Sequence, residues 1–505
     1  MSYIDEKVAP KREDRLGAGC VYGGGACGLK KQFGGCCLKG NQRGFGQASI
    51  CQLLPGTAIL STIPESVLII HGSLGCGGAI NMQTSNVRFR QLLAGQKNPT
   101  GAVWMTTNLN ENDVVTGGEE KLENAILEAE RRFRPASIIV VSTCVPGIIG
   151  DDIDGVAARL QSQVDAKILP IHCEGFKTSI MATAYDAIFH SFSRNLLEPD
   201  EEEDEPVIVD ELEEAKESIR RSRLVNLMNF AAMSPSEQAE LVRLLSALGL
   251  TVQVFPCYTH PERFIDATEA ALSISSCPTH DDYFLKYLDD KYGVPYIIRH
   301  MPIGIEATND WLRDIAAFFH LEDVAEKVIE QETAELNKAL EPIRVNLKGK
   351  KALLSAGEVR SLSTAVLLQE LGMEITAVRP YHYDEFGEPA LDRLTQNSED
   401  VIINVATVHP YEGSNLIENT KPDVYMGHIS DNVWAAKTGI PVLPIWHGGF
   451  LSAGYAGAFD LARRLNRILR NPSFNKSLKG NTRLPYRQGS LRTDAFEFIK
   501  EAAAE

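Results

Sequence analysis

Three cysteines stand where thiol groups could bind a metal cluster. Cys76 follows the apolar run "SVLIIHG" in a glycine-rich turn, Cys144 ends the run "SIIVVSTC", and Cys51 lies in "FGQASICQLLPG". A glycine-rich turn after a strand usually cradles phosphate, but a phosphate site needs Lys, Ser or Thr rather than sulfur. Thiolates are the ligands of iron–sulfur clusters, whereas free cysteines are also among the most often buried residues. The three thiols are therefore either a candidate half-site for such a cluster or packed core residues.

Two more residues of metal-binding type lie farther along the chain. Cys277, in "LSISSCPTHDDYF", stands at a loop-to-helix junction, where the positive end of a helix dipole favours a thiolate. His447, in "PVLPIWHGGF", comes just after an apolar run, a position that faces a cleft in α/β proteins. The spacing "CPTH" also resembles half of a zinc site, but the sequence offers no second pair with suitable spacing.

Four cysteines crowd the glycine-rich stretch "CVYGGGACGLKKQFGGCCLKG" near the N-terminus. They are Cys20, Cys27, Cys36 and Cys37. We interpret this stretch as a coreless segment that could hold another metal centre, although an adjacent cysteine pair is not a standard zinc or ferredoxin spacing. The remaining two, Cys173 and Cys257, are interpreted as thiols packed in the core or behind the cluster ligands.

Apolar runs alternate with helix-period stretches from about residue 47 onward. Near-continuous apolar runs separated by helices are typical of parallel sheets that are covered on both faces. The predicted strands are "SVLIIHG", "SIIVVSTCV", "AKILPIHCE", "RLVNLMNFAA", "TVQVFP", "KALLSA", "EITAV", "VIINVAT", "DVYMGH" and "PVLPIW". The sequence therefore predicts an α/β protein built from doubly wound parallel sheets.

The chain of 505 residues is too long for one hydrophobic core. An acidic run, "EPDEEEDEP", suits a solvated connector because like charges repel one another. The predicted organisation is a Cys/Gly-rich N-terminal extension at 1–46, three Rossmann-like domains at 47–200, 207–345 and 346–475, and a C-terminal tail at 476–505.

Composition narrows the class of protein. A formal charge of -17, without clustered basic residues, argues against nucleic acid as a partner. The sequence has no signal-peptide pattern and no apolar run of the length, about 18 residues, that a membrane span requires. Ten cysteines without a secretion signal are expected to stay reduced, so we expect a cytoplasmic protein that uses thiols for metal binding or catalysis.

Five separately placed motifs resemble, in order and approximate spacing, the component 1 proteins of nitrogenases and nitrogenase-like reductases. They are "HGSLGCG", "STCVPGIIGDDI", "HCEGF", "CPTHDDYFLKYLDDKYGVPY" and "WHGGFLSAGYAGAFDLARRL". The resemblance covers about residues 47–475. It implies three Rossmann-like domains around a central cofactor cleft, in one of two subunit types, D or K, that pair with each other.

The resemblance also implies which residues hold the metal clusters. Cys51, Cys76 and Cys144 would be one half of an eight-iron P-cluster that is shared with a K-type subunit. Cys277 and His447 would hold a complex iron–sulfur cofactor at its opposite ends, as in D-type subunits. We therefore expect a D-type chain in a D2K2-like complex.

Residues around the expected cofactor differ from those of dinitrogen-reducing enzymes. Aligned on "CEGF", Met181 and Tyr185 stand where those enzymes carry a glutamine and a histidine. Arg360, in "SAGEVRSL", loosely matches an arginine loop of the family and is a candidate cofactor contact. In "RPYHYDEFGE", Tyr381 precedes His382, which is a candidate proton donor unless it is merely a solvated loop residue. We expect Met181, Tyr185 and His382 to be the catalytic side chains.

This pocket and the N-terminal stretch most resemble the methylthio-alkane reductases, which cleave C–S bonds of small volatile thioethers to methanethiol and a hydrocarbon. An ATP-hydrolysing iron protein with a [4Fe–4S] cluster would supply electrons, since the chain has no Walker A pattern and no nucleotide site of its own. The alternatives are a true nitrogenase alpha subunit that reduces N₂ and a cofactor-assembly scaffold of the E type. The apical metal of the cofactor is open between iron, molybdenum and vanadium.

Overall fold

The computed structural model describes residues 3–34, 37–46, 51–93, 95–99, 101–197, 218, 220–231, 233–299, 301–396, 398, 401–407, 409–445 and 450–500. The strands are β1 (Tyr22–Gly25), β2 (Gln42–Arg43), β3 (Ser66–His71), β4 (Val103–Thr106), β5 (Ser137–Ser142), β6 (Lys167–His172), β7 (Leu224–Met228), β8 (Thr251–Phe255), β9 (Leu272–Ile274), β10 (Tyr296–Ile297), β11 (Lys351–Ala356), β12 (Glu374–Pro380), β13 (Ile402–Val405), β14 (Val424–Gly427), β15 (Val442–Pro444) and β16 (Ile499–Lys500).

Helices connect and cover these strands. They are Arg12–Leu16, Ala26–Gly34, Leu53–Leu60, Leu74–Leu93, Glu111–Thr116, Glu119–Phe133, Cys144–Ile149, Ile153–Leu160, Thr183–Asn195, Pro235–Ala247, Pro278–Tyr292, Ile305–Phe319, Glu322–Leu347, Glu358–Glu370, Glu388–Gln396, Pro410–Thr420, Ile429–Lys437, Gly454–Arg470 and Ser473–Asn481. Within the described residues, none of them combines the length and the apolarity that crossing a membrane demands.

Two of the sheets are four-stranded and share one topology. The first has the order β4-β3-β5-β6 and the second β10-β9-β7-β8, with every pair parallel. Alternate residues of β3 pack into different core clusters, Val67 and Ile69 on one face and Leu68 and Ile70 on the other. Because both faces are buried, the strand reads as one apolar run. The predicted α/β fold class with doubly wound parallel sheets is confirmed.

The third sheet has six strands in the order β1-β13-β12-β11-β14-β15. Its five strands from the third predicted domain are parallel and follow the Rossmann order, while β1 joins the edge antiparallel to β13. Each of the ten runs predicted as strands contains a strand. Six strands of two to four residues each were not predicted: β1, β2, β4, β9, β10 and β16. The equally short β13, β14 and β15 were predicted because each lies within a longer apolar run.

The N-terminal segment is not coreless, so that expectation was wrong. Tyr22, Ala26 and Leu29 are buried in the core cluster of the second and third sheets, and β1 completes the third sheet. The C-terminal tail is likewise ordered, because β16 pairs with β2. The acidic run, at 198–206, lies outside the described residues.

The sheet topology places the candidate ligand cysteines near the ends of particular strands. In doubly wound sheets, ligands bind at the carboxyl ends of the two strands where the winding direction reverses. In the first sheet these strands are β3 and β5, which Cys76 and Cys144 follow closely. In the second they are β7 and β9, and Cys277 comes three residues after β9.

Candidate functional site

A cavity of about 280 Å³ lies between the three α/β units. Its wall includes residues that follow β9, β11 and β12, together with helices of the first unit. Among the lining residues are five that the sequence singled out: Met181, Tyr185, Cys277, Arg360 and His382. The structure therefore brings these five residues to one site, while their chemical roles remain predictions.

Cys277 caps the helix Pro278–Tyr292 at its N-terminus and faces the cavity. The carboxylate of Asp281 accepts the backbone N–H groups of Ser276 and Cys277, both at 3.0 Å, which fixes the turn. Burial, and next the Asp281 charge, raise the pKa of the Cys277 thiol to about 12. A free thiol here stays protonated, so a soft metal that replaces the proton is what makes this sulfur a ligand.

Arg360 adds a fixed positive charge to the cavity wall. Its guanidinium donates to Ser452 Oγ at 2.8 Å, lies 3.5 Å from a Glu237 carboxylate oxygen, and stacks over the Phe230 ring at 5.1 Å. These contacts hold the side chain in a nearly buried position. A buried guanidinium beside the cavity suits an anionic ligand.

Three aromatic rings line the cavity next to Cys277. His280 lies parallel to Phe230 with 4.7 Å between ring centroids, and the Tyr185 ring is tilted against His280 with 4.1 Å between centroids. Burial lowers the pKa of His280 well below its ordinary value, and burial raises that of Tyr185. Both rings are therefore neutral at pH 7. His280 Nδ1 makes no hydrogen bond within the described part of the chain.

The cysteine half-site, Cys51, Cys76 and Cys144, lies at the edge of the first sheet. A Cβ atom on Gly175 would stand 2.9 Å from Cys51 Cβ, 3.5 Å from Cys51 Sγ and 3.6 Å from Cys144 Sγ. Ser73 Oγ lies 3.9 Å from Cys76 Sγ. All three cysteines are exposed or partly exposed.

The donor type of the half-site, three thiols, is that of an iron–sulfur cluster, and two of these thiols lie beside Gly175. Among the described residues, the three thiols do not form a set of ligand atoms within 4.8 Å of one another. Gly175 leaves beside two of them a space that any side chain would fill, and soft thiolates are the ligands of iron–sulfur clusters. The chemistry of these donors fits an iron–sulfur cluster, while their role as its ligands stays a prediction.

Two other predicted ligands, His447 and Cys36, lie outside the described residues, as does the side chain of Cys37. Cys27 is exposed and Cys20 is partly buried. Cys173 and Cys257 are buried, as expected of core thiols.

Three site residues were missed in the sequence. His280 was noted only as part of a zinc-like spacing. It comes three residues after Cys277, and this spacing indicates that both side chains lie on the same face of the helix. Glu358 follows β11 and lies beside His382, and Arg12 reaches the same group from the N-terminal helix. No local pattern marks Arg12, because its partner Asp384 is 372 positions away.

Three α/β units around a cavity lined by Cys277, with three more cysteines at one sheet edge, form an arrangement that suits a metal-binding α/β protein. The chain belongs to the family described as nitrogenase component 1 type oxidoreductase, which it matches over residues 51–470. The resemblance found in the sequence is thereby confirmed at the level of the family.

Relatives in this family differ in their named roles. The chain is 30% identical over 460 residues to the nitrogenase iron-molybdenum cofactor biosynthesis protein NifE of Rippkaea orientalis, covering 87% of this chain and 91% of the relative. It is 26% identical to the nitrogenase molybdenum-iron protein alpha chain of Methanosarcina barkeri, covering 82% and 84%. Nitrogenase Cp1 at pH 5 shares the fold, with a TM-score of 0.69, 21% identity, and coverage of 88% of this chain and 93% of that one.

Proposed function

We propose that this chain is the cofactor-carrying, D-type subunit of a nitrogenase-like reductase that cleaves the C–S bond of small methylthio-alkanes. The observation that carries the proposal is the pairing of Cys277 with Met181 and Tyr185 around one cavity. Cys277 offers a soft ligand for a complex iron–sulfur cofactor, and His447 is its expected second ligand from the sequence. When bound, such a cofactor would supply the electrons and a thiophilic iron surface.

The wall around Cys277 carries Met181 and Tyr185 in place of the glutamine and histidine expected in a dinitrogen-reducing enzyme, and much of it is apolar. Met181 cannot donate a hydrogen bond, and burial raises the pKa of Tyr185, which keeps its phenol protonated. Ile59, Val87 and other apolar side chains complete the wall. A thioether fits this lining because its sulfur is soft and its alkyl groups need no polar partner.

The overall reaction needs two electrons and two protons. A methylthio-alkane R–S–CH₃ would yield R–H and CH₃SH, so one C–S bond breaks while one C–H and one S–H bond form. The electrons would come from an ATP-hydrolysing iron protein with a [4Fe–4S] cluster through the half-site. The part of this chain is to bind the cofactor, position the substrate, exclude water and hold protons near it.

A K-type subunit is the proposed partner at the half-site, and the shared cluster would be the eight-iron P-cluster. Apolar side chains stand exposed near these cysteines: Leu74 is 60% exposed, Ile148 69% and Phe176 53%. Leu74 begins the helix that carries Cys76, and Ile148 lies in the helix that begins at Cys144. Burying such a patch against a second subunit, as in a D2K2-like complex, would remove it from water and close the cluster site.

The relatives favour a second function, that of a cofactor-assembly scaffold. Several of them, including the one from Rippkaea orientalis, are named NifE and described as cofactor biosynthesis proteins. The half-site and Cys277 would serve a scaffold as well, with a simpler cluster in place of the P-cluster. A scaffold has no need of a proton donor in the cavity wall, whereas a reductase does.

One assay separates these functions. The purified complex is incubated anaerobically with its iron protein, ATP and dithionite under N₂, with 2-(methylthio)ethanol as substrate, and the headspace is analysed. The reductase is expected to form ethylene, methanethiol and water, because the C–O bond of this substrate breaks together with its C–S bond. The two protons then form the S–H bond and an O–H bond of water, and no ammonia is expected. Ammonia would instead identify a nitrogenase, and a fully metallated complex without product would favour the scaffold.

A further inference from the structure

Glu358, His382 and Asp384 form a buried group of ionisable side chains behind the cavity wall. One ligand atom from each lies within 4.8 Å of the others, and all three residues are buried. Glu358 begins the helix Glu358–Glu370 that follows β11, whereas the other two follow β12. The two adjacent strands of the third sheet therefore place them together, and His382 lines the cavity.

Two atoms of this group face each other without an ordinary hydrogen bond. His382 Nε2 lies 3.5 Å from Glu358 Oε2 and 3.4 Å from Asp384 Oδ2. Neither His382 Nε2 nor Glu358 Oε2 hydrogen-bonds to any other part of the chain that the structure describes. Glu358 Oε1, by contrast, accepts the Asp384 N–H at 2.8 Å, so one end of the carboxyl group is fixed.

The cations around Glu358 are already paired with other carboxylates. Asp186, Asp282 and Asp384 are buried carboxylates. Arg12, Arg15 and Lys286 face them, and Lys286 also lies 3.7 Å from the exposed carboxylate of Glu385. An ionised Glu358 would add an uncompensated buried charge, which is costly. Glu358 therefore keeps its proton, and its Oε2 atom faces His382 Nε2 across 3.5 Å.

The electrostatics agree with this arrangement. Burial, and next the Asp384 charge, raise the pKa of Glu358 well above its ordinary value. Burial acts in the same direction on Asp384, but the Arg12 guanidinium and, next, the His382 ring together outweigh it and hold the pKa of that carboxyl well below its usual range. The other titratable groups that act on the pair are Tyr383 beside Glu358 and His280 beside His382.

A proton fits this group better than a metal ion. Arg12 Nε donates to Asp384 Oδ2 at 2.9 Å, so a cation bound by the three ligand atoms would sit against a guanidinium. A Cβ atom on Gly387 would stand 2.1 Å from Glu358 Oε1, which shows how closely the backbone covers the carboxyl group. Space for a hydrated cation is therefore lacking on that side.

We infer that Glu358 and His382 form a proton relay that delivers protons to the molecule bound in the cavity. This inference rests on the proposed function, whose reaction consumes two protons and two electrons. In each delivery the O–H proton of Glu358 passes to His382 Nε2, and an N–H bond of the imidazolium so formed breaks as a bond to hydrogen forms on the substrate. A proton from water then restores the Glu358 carboxyl group before the second delivery, and the electrons come from the iron protein. His382 is the catalytic residue, Glu358 its proton reservoir, and Arg12 a positioning residue that keeps Asp384 ionised.

Glu358→Gln tests the relay, since an amide keeps the acceptor for the Asp384 N–H but carries no transferable proton. The matched control is Glu370→Gln, at the other end of the same helix, where the carboxylate accepts the backbone N–H groups of Ile305 and Glu306 away from the cavity. In the whole complex, Glu358→Gln is expected to lower kcat about 10²-fold with KM and iron content unchanged. Glu370→Gln is expected to leave kcat near that of the wild type.

An infrared measurement tests the same proton without turnover. The wild-type minus Glu358→Gln spectrum is expected to contain the carbonyl stretch of a protonated carboxylic acid that shifts in D₂O. A missing band, a kcat equal to that of the control, or the loss of a bound non-iron metal in Glu358→Gln would each overturn the relay. The infrared band needs no substrate. If the band is present but thioethers give no product, the proposed function is refuted, while Glu358 is still shown to hold a proton.

Discussion

Arg12 Nε lies 2.9 Å from Asp384 Oδ2, an ion pair between two fully buried side chains that are 372 positions apart. The same guanidinium lies 3.0 Å from Asp186 and 3.4 Å from Asp282. Each of the three carboxylates belongs to a different α/β unit. A single N-terminal side chain thus fastens together the three units that enclose the cavity.

Arg12→Ala is expected to destabilise the protein by about 3–5 kcal/mol, because it leaves three buried carboxylates without their shared cation. Denaturant-induced unfolding of the variant and the wild type measures the difference. Lys7→Ala is the control, since the Lys7–Asp152 ion pair is also N-terminal but exposed, and its unfolding midpoint should match that of the wild type. Equal unfolding midpoints for Arg12→Ala and Lys7→Ala would show that Arg12 does not stabilise the contact between the three α/β units.

Much of the fold was predictable because buried parallel strands are apolar along their whole length. The strand β5 reads "SIIVVS", and every residue in it is buried. The N-terminal strand reads "YGGG", which has weak β propensity and is held in place by its partner β13. The sequence could not predict β1, because the pairing that creates it is entirely tertiary.

Part of the candidate site could likewise be predicted from the sequence, and part could not. Cys76, Cys144 and Cys277 could be placed from the sequence, because residues just after parallel strands gather at one sheet edge. His382 was predicted from its loop position, but its partner Glu358 was not, since a glutamate in the first turn of a helix is common. Only the adjacency of β11 and β12 puts that carboxyl group beside the imidazole ring.

His172 is expected to make stability depend on pH. Burial lowers its pKa, but hydrogen bonds to Asp154 at 2.8 Å and Glu174 at 3.1 Å outweigh burial and raise it to about 9. Since the unfolded value is 6.5, the stabilisation is complete below pH 6.5 and is lost as the pH rises through about 9. The loss amounts to about 3 kcal/mol at most.

Unfolding midpoints measured between pH 6 and pH 10 check this dependence. The wild type should lose stability across that range, and His172→Gln should show a flatter profile because its side chain does not titrate. His320→Gln is a suitable control, since that side chain lies at the end of the helix Ile305–Phe319, away from both carboxylates. Identical profiles for the wild type and His172→Gln would contradict the assignment.

Cys277→Ala is expected to release the cofactor while iron stays in the half-site, since the two sites use different thiols. Iron content and the electron paramagnetic resonance of the purified complex measure both sites separately. Cys257→Ala is the matched control: Cys257 is equally buried in the same unit but does not line the cavity. Full cofactor content and activity in Cys277→Ala would rule out Cys277 as a ligand.

Gly175→Ala is expected to disturb the half-site without removing any ligand. The added Cβ would stand 2.9 Å from Cys51 Cβ, closer than carbon atoms in contact approach, and would push against the sulfur atoms of Cys51 and Cys144. A cluster held by these thiols should then be bound less fully, and pairing with the second subunit should weaken. Iron content and copurification of that subunit measure the two effects.

Gly78→Ala provides the comparison for Gly175→Ala, because a Cβ atom there meets open space in the helix that carries Cys76. Alanine also has the higher helix propensity, so this variant should keep its iron and its partner. If both variants bound iron equally well, Gly175 would not be needed to make room for a cluster. If only Gly175→Ala lost iron, the space beside Cys51 and Cys144 would be the one that the cluster occupies.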